Sequence, residues 1–271
     1  MDLIENSIIF TDLDATLLDH HDYSYHEAEE MLSFVEKHKI PLIFTTSKTA
    51  VEVIELQRIM GISEPFIVEN GGGIFIPFGY ETFEVDEYIE KDGFKIIELG
   101  KSYCECKQFF KKCTKKFDLR TFSNMSAYEV SRLTDLDNHH AKMAKERDFT
   151  EPFILNDDNQ LIDLEKEADK KGFKITKGGR FYHLIGAFQD KGVAVNKVVE
   201  LFAKKKEGKP YVIALGDSKN DIQMLQSADL PILLPRHNEG FITLDLPNLI
   251  RAKFHSSKGW NSSLKEVFSV N

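Results

Sequence analysis

Two acidic motifs stand 205 residues apart, and each closes an apolar run. The first, Asp12-Leu13-Asp14-Ala15-Thr16, follows Ile8-Ile9-Phe10-Thr11, and the second, Gly216-Asp217-Ser218-Lys219-Asn220-Asp221, follows Tyr211-Val212-Ile213-Ala214-Leu215. Carboxylates gathered at the ends of buried strands repel one another, by roughly 4 kcal/mol for a pair ~4 Å apart at an effective dielectric of about 20. A cation between the motifs is therefore expected, and hard oxygen ligands in this number point to Mg²⁺ and to phosphate chemistry. Asp12 and Asp14 share one face if the chain there is extended. One carboxylate can then attack phosphorus while the other handles the proton on the leaving oxygen. The same Asp-x-Asp spacing also suits an acidic turn that caps a helix. Lys191 adds a second sign. It follows Asp190, a plausible N-cap, so a cation opens a helix against its dipole. A residue that breaks a local rule is a candidate for function, here to offset negative charge beside phosphate.

The elements that must carry these residues alternate. Tyr25 to His38 has apolar residues at helical spacing, Ile40 to Phe44 reads as a strand, and Thr49 to Met60 as a helix stopped at Gly61. Phe66-Ile67-Val68 and Ile74-Phe75-Ile76 flank Asn70-Gly71, a hairpin signal. Near Glu81 the chain turns lysine-rich and irregular, with strand candidates at Phe94 to Leu99, Phe153 to Leu155, Phe173 to Thr176 and Phe181 to Ile185. From Asp190 the alternation returns, with a helix over Val193 to Phe202, a strand over Tyr211 to Leu215 and a helix over Asp221 to Gln226. The expected fold class is α/β, a doubly wound parallel sheet interrupted by an α+β insertion. The expected boundaries are residues 1–84 and 188–271 for the sheet domain and 85–187 for the insertion. Asp12, Thr46, Glu69 and Asp217 fall at strand carboxyl ends, where open parallel sheets bind ligands.

Bulk properties narrow the partners. A net charge of −9 argues against a nucleic acid, and no run approaches the length of a membrane span. Cys104, Cys106 and Cys113 lie too close together, and are too few, for a disulfide framework, and no fourth ligand completes a zinc site. With no signal-peptide pattern at Met1 to Asn6, a reducing cytoplasm is expected.

Together the motifs resemble those of the haloacid dehalogenase-like phosphatases. Asp12-Leu13-Asp14-Ala15-Thr16 is similar to their first motif, Thr46 to the second, Lys191 to the third, and Gly216-Asp217 with Asp221 to the fourth. The resemblance spans essentially the whole chain, including an insertion where members with a type-2 cap carry their lid. It implies that Asp12 becomes an aspartyl-phosphate and that Asp14 serves as acid and base. It also implies that Mg²⁺ is held by Asp12, the Asp14 carbonyl and Asp217, with Asn220 and Asp221 in the outer shell. The chain departs from the family at Ala15, where glycine is commonest; a positive φ there would strain alanine.

A narrower resemblance, to the mannosyl-3-phosphoglycerate phosphatases, rests on three segments: Thr46-Ser47-Lys48-Thr49, Glu69 to Pro77, and Gly178 to His183 followed by Asp190-Lys191-Gly192. It implies a small phosphorylated sugar-glycerate substrate contacted by Ser47, Lys48, Glu69, Asn70, Gly71 and Arg180. Lys48 suits a phosphate, glycines 71 to 73 allow close backbone approach, and Arg180 suits the glycerate carboxylate. Asn70-Gly71 is also readable as a plain turn and Arg180 as an exposed strand residue, while Trp260 reads as a core anchor for the tail rather than a sugar platform. Phosphatases of glucosyl-3-phosphoglycerate or sucrose-phosphate type, or a silent sugar-phosphate binder, are the alternatives.

Overall fold

The fold is described from a computed structural model covering residues 3–80, 83–178, 181–206 and 208–270. Gly179 and Arg180 lie outside the described residues. Among the described residues nine strands make the larger sheet: β1 (Ser7–Thr11), β2 (Leu42–Thr45), β3 (Phe66–Val68), β4 (Gly73–Pro77), β5 (Ile89–Lys91), β6 (Phe94–Glu98), and, after the smaller sheet, β11 (Tyr211–Gly216), β12 (Leu230–Leu233) and β13 (Ile250–Arg251). Their order is β13-β12-β11-β1-β2-β3-β4-β6-β5. From β13 to β3 neighbouring strands are parallel, and β4, β6 and β5 add antiparallel pairs.

The apolar runs are uninterrupted because both faces of the sheet are covered. On β1, Ile9 packs into one core with Phe44, Trp260 and Leu264, while Ile8 and Phe10 pack into the other with Val198 and Phe202. Trp260 is fully buried and donates to Thr11 Oγ1 at 3.1 Å, as a core anchor does. The helix Ala50–Met60 opens on a capping box at Thr49 and Glu52 and stops at Gly61, whose φ is 69°.

The smaller sheet comprises β7 (Leu119–Thr121), β8 (Glu151–Leu155), β9 (Phe173–Gly178) and β10 (Phe181–Gly186), in the order β7-β8-β10-β9, all antiparallel. The helices Tyr103–Cys113 and Leu161–Asp169 cover one side with a core that includes Phe110, Phe153, Leu164 and Leu184. The strand expected at Phe94 to Leu99 as part of the insertion instead pairs with β4. The reason is its alternation: Ile96 enters one core of the large sheet and Ile97 the other. Among the described residues no helix is long and apolar enough to cross a membrane, and the three cysteines are free thiols.

Candidate active site

Asp12 stands one residue beyond β1 and Asp217 one beyond β11. These strands pair in parallel with Thr11 opposite Leu215, and the Asp12 N–H donates to the Leu215 carbonyl at 2.9 Å. The register therefore delivers both carboxylates to one edge of the sheet. Carboxylate oxygens of Asp12, Asp217 and Asp221 lie within 4.8 Å of one another, and all three residues are buried.

Lys191 is the counterweight. It is the first residue of the helix Lys191–Lys206, and Asp190 Oδ1 accepts from the Val193 N–H at 2.8 Å as an N-cap would. The lysine is fully buried, and its Nζ donates to Asp12 Oδ1 and Asp221 Oδ1, each at 2.6 Å. Burial disfavours its charge, but the two carboxylates outweigh that and hold the ammonium above the ordinary lysine range. The other oxygen of Asp221 accepts from the Asp217 and Ser218 N–H groups at 3.1 and 3.0 Å. Asp221 is thus spoken for by the protein, whereas Asp12 and Asp217 are under-compensated. Desolvation first, then the neighbouring carboxylates, pushes Asp12 up to about 7 despite Lys191, and Asp217 up to about 8. A divalent cation among these oxygens would restore the ionised forms, and an all-oxygen donor set suits Mg²⁺. The residues present therefore fit the metal that the motifs imply.

Around this cluster the other expected residues fall into two groups. Asp14 and Lys48 meet: Lys48 Nζ is 2.9 Å from Asp14 Oδ1 and 3.8 Å from Glu52 Oε1, and it lies over the Tyr23 ring, 5.0 Å from its centroid. Thr46 is buried just past β2, its Oγ1 accepting from the Lys48 N–H at 3.1 Å. Asn220 donates to Asn70 Oδ1 at 3.0 Å, which joins the turn after β3 to the second acidic motif. Ala15 has φ 60°, so the strain foreseen for a non-glycine there is present.

Glu69 is arranged differently. It is fully buried, and its oxygens accept from Arg147 Nε, the N–H groups of Asp148, Phe149 and Thr150, and Thr150 Oγ1. Its carboxylate is committed to the insertion. Glu69, Asn70 and Gly71 all have positive φ, and the close approach that glycine allows at Gly71 is to the chain itself. A Cβ there would lie 2.1 Å from the Asp190 carbonyl oxygen. Ser47 offers its carbonyl to Arg147 at 2.7 Å. Arg180 lies outside the described residues.

Two residues went unseen in the sequence. Arg147 sits in a charged run, Lys145-Glu146-Arg147-Asp148, that reads as a solvated surface, although its guanidinium side chain is 4% exposed. Gln189 is fully buried and bridges Glu69 O and the Gly186 N–H at 2.6 and 3.0 Å. Only its place between the lysine helix and the insertion hinted at a role.

The chain is 48% identical over 262 residues, 97% of each chain, to a glucosyl-3-phosphoglycerate/mannosyl-3-phosphoglycerate phosphatase of Persephonella marina. It is 32% identical, over 84% of this chain and 90% of the other, to the mannosyl-3-phosphoglycerate phosphatase of Pyrococcus furiosus. Its fold matches a crystal structure from Thermoplasma acidophilum at TM-score 0.70, 19% identity and coverage of 98% and 99%. It also matches the sucrose-phosphatase of Synechocystis, solved with sucrose and phosphate, at TM-score 0.61, 14% identity and coverage of 98% of each chain. The family model described as haloacid dehalogenase-like hydrolase matches residues 9–239, which takes in both acidic motifs, Lys191 and the insertion. The chain belongs to the haloacid dehalogenase-like hydrolase family.

Proposed function

We propose that this protein is a Mg²⁺-dependent phosphomonoesterase that removes phosphate from a glycosyl-3-phosphoglycerate, taking the mannosyl form and, by the same machinery, the glucosyl form. The observation that carries the chemistry is the buried Asp12 held at 2.6 Å by Lys191 beside the second acidic motif. The substrate class rests on the printed names of its relatives, one of which is 48% identical.

In this reading an oxygen of Asp12 attacks phosphorus, the bond to the glycerate oxygen breaks, and Asp14 delivers a proton to that oxygen. Water then attacks the aspartyl-phosphate, Asp14 takes its proton, and orthophosphate leaves with Asp12 restored. Asp12, Asp217 and the Asp14 carbonyl would hold Mg²⁺, which, when bound, lowers the charge repulsion between nucleophile and phosphate. Lys191 keeps Asp12 oriented, and Asp221, anchored by the 217–218 backbone, keeps Lys191 in place. Thr46 and Lys48 contact the phosphate, with Ser47 and Asn70 nearer the glycerate, whose carboxylate suits a guanidinium such as that of Arg180. The smaller sheet and its helices act as the cap, and the three free cysteines suit a reducing cytoplasm.

The test is phosphate release from a panel of mannosyl- and glucosyl-3-phosphoglycerate, 3-phosphoglycerate, sucrose phosphate and hexose phosphates, with Mg²⁺ and with chelator. The glycosyl-phosphoglycerates should lead by at least about tenfold, a difference of ~1.4 kcal/mol in transition-state binding, and chelator should abolish turnover. Preference for a hexose phosphate or sucrose phosphate would replace the substrate assignment. No turnover of any ester would leave a binder.

A further inference from the structure

The inserted segment reaches into the loop that holds Thr46 and Lys48, and a buried guanidinium makes most of that contact. Arg147 Nη2 donates to the Ser47 carbonyl at 2.7 Å and to Thr150 Oγ1 at 2.8 Å, and Nε donates to Glu69 Oε2 and Thr150 Oγ1, each at 3.1 Å. Glu69 is fully buried and stands at the end of β3, whose neighbour β2 leads into the same loop. The loop is tied on that side as well: the Glu69 N–H donates to the Lys48 carbonyl at 3.0 Å, and the Asn70 N–H to the Thr46 carbonyl at 2.9 Å. A second strut comes from the insertion, where the Met143 carbonyl accepts from Thr49 Oγ1 at 3.0 Å. Residues 46–49 are therefore gripped between the sheet domain and the 143–150 segment.

Stability alone does not account for this pairing. A buried ion pair can often be replaced by apolar residues of similar volume with little loss of stability. What an apolar pair cannot do is fix direction. The planar fork of Arg147 reaches a carboxylate, a hydroxyl and a backbone carbonyl at once, a geometry lysine does not offer.

Resting on the proposal that Thr46 and Lys48 contact phosphate, we infer that Arg147 and Glu69 are positioning residues for the phosphate site. They set the 46–48 loop by anchoring it to the insertion. The seat of the insertion then governs phosphate affinity and turnover on every ester, and not only the choice of sugar.

The test compares Arg147→Lys, Thr150→Ala and Lys48→Met, with Leu164→Ala as a control for stability lost elsewhere in the insertion, where Leu164 is fully buried. Orthophosphate inhibition constants, kcat and KM are measured in Mg²⁺ on p-nitrophenyl phosphate and on a glycosyl-3-phosphoglycerate. Arg147→Lys should weaken orthophosphate by about tenfold and lower kcat on both esters in parallel, since a point charge cannot hold the fork. Thr150→Ala, which leaves the ion pair in place and guards against a lysine variant that fails to fold, should shift the same constants by about threefold. Leu164→Ala should lower Tm with orthophosphate affinity unchanged. Should Lys48→Met weaken orthophosphate while Arg147→Lys and Thr150→Ala leave it within twofold, the inference is overturned and the loop assignment stands. Should none of the three change it, both fall together.

Discussion

Replacing Asp217 with asparagine should stabilise the metal-free protein, and more so as pH rises. Asp217 is 6% exposed, and its carboxyl is pushed up to about 8, by burial first and then by Asp221 and Asp12, from 3.8 in an unfolded chain. Between those two values the native state binds a proton that the unfolded state has released. Stability therefore falls as pH climbs from ~4 to ~8 and levels off above. A shift of about four units at ~1.4 kcal/mol each gives ~6 kcal/mol for an isolated group. The charges of Asp221 and Asp12 contribute to that shift beside burial, so a good part of it is shared with them and is not removed by changing Asp217 alone. Taking a third to a half leaves about 2–3 kcal/mol for Asp217→Asn by pH 8.5. At ~2–4 °C per kcal/mol for a chain of this size, the variant should melt roughly 5–10 °C above the parent in chelator at pH 8.5. The gap should narrow to a few degrees by pH 5. Added Mg²⁺ should raise the parent by about 2.7 kcal/mol at a hundredfold excess over its Kd, and the variant much less, closing most of the gap at pH 8.5. Thermal melts in chelator and in Mg²⁺ across pH 5 to 9 read all of this. A variant that melts at or below the parent at pH 8.5 in chelator, or a gap that does not grow with pH, would refute the claim that the acidic cluster is under-compensated without a cation.

Two further changes probe the first motif. Asp14→Asn should spare the first phosphate transfer from p-nitrophenyl phosphate, whose leaving group needs no proton, while turnover of a glycosyl-3-phosphoglycerate falls by about 10²–10⁴. Burst kinetics on the two substrates distinguish these, and equal loss in the burst would give Asp14 a role in the metal site or the fold instead. Ala15→Gly should raise stability by about 0.5–1 kcal/mol, because the left-handed φ of 60° costs alanine ~1–2 kcal/mol and glycine's extra unfolded freedom returns part of it. A melt that moves downward would mean the Ala15 methyl contributes packing that outweighs the strain.

The alternation of apolar runs and helical spacing was enough to put Asp12 and Asp217 at strand ends, because period and burial are local properties. Once those strands are parallel neighbours, the register brings the carboxylates together. Lys191 was legible for a related reason: a cation in the first turn opposes the helix dipole, so the conflict is visible in a few residues of sequence. The Asp14–Lys48 pair and the Glu69–Arg147 pair were not legible. The second joins residues 78 apart, from two different sheets' surroundings, and nothing in Lys145-Glu146-Arg147-Asp148 distinguishes a buried guanidinium from a solvated one. The same holds for glycines 71 to 73, which read as room for a ligand but are fitted against Asp190 and Phe149. Likewise β6, which the change of composition near Glu81 assigns to the insertion, belongs to the large sheet because Ile96 and Ile97 have a core on each side. The amino-acid sequence determined which side chains are the candidates for chemistry, since their types and spacing declare it within a strand or a helical turn. Only the tertiary structure decided which charges neutralise which, because pairing depends on distance across the fold and on how completely water is excluded from each pair.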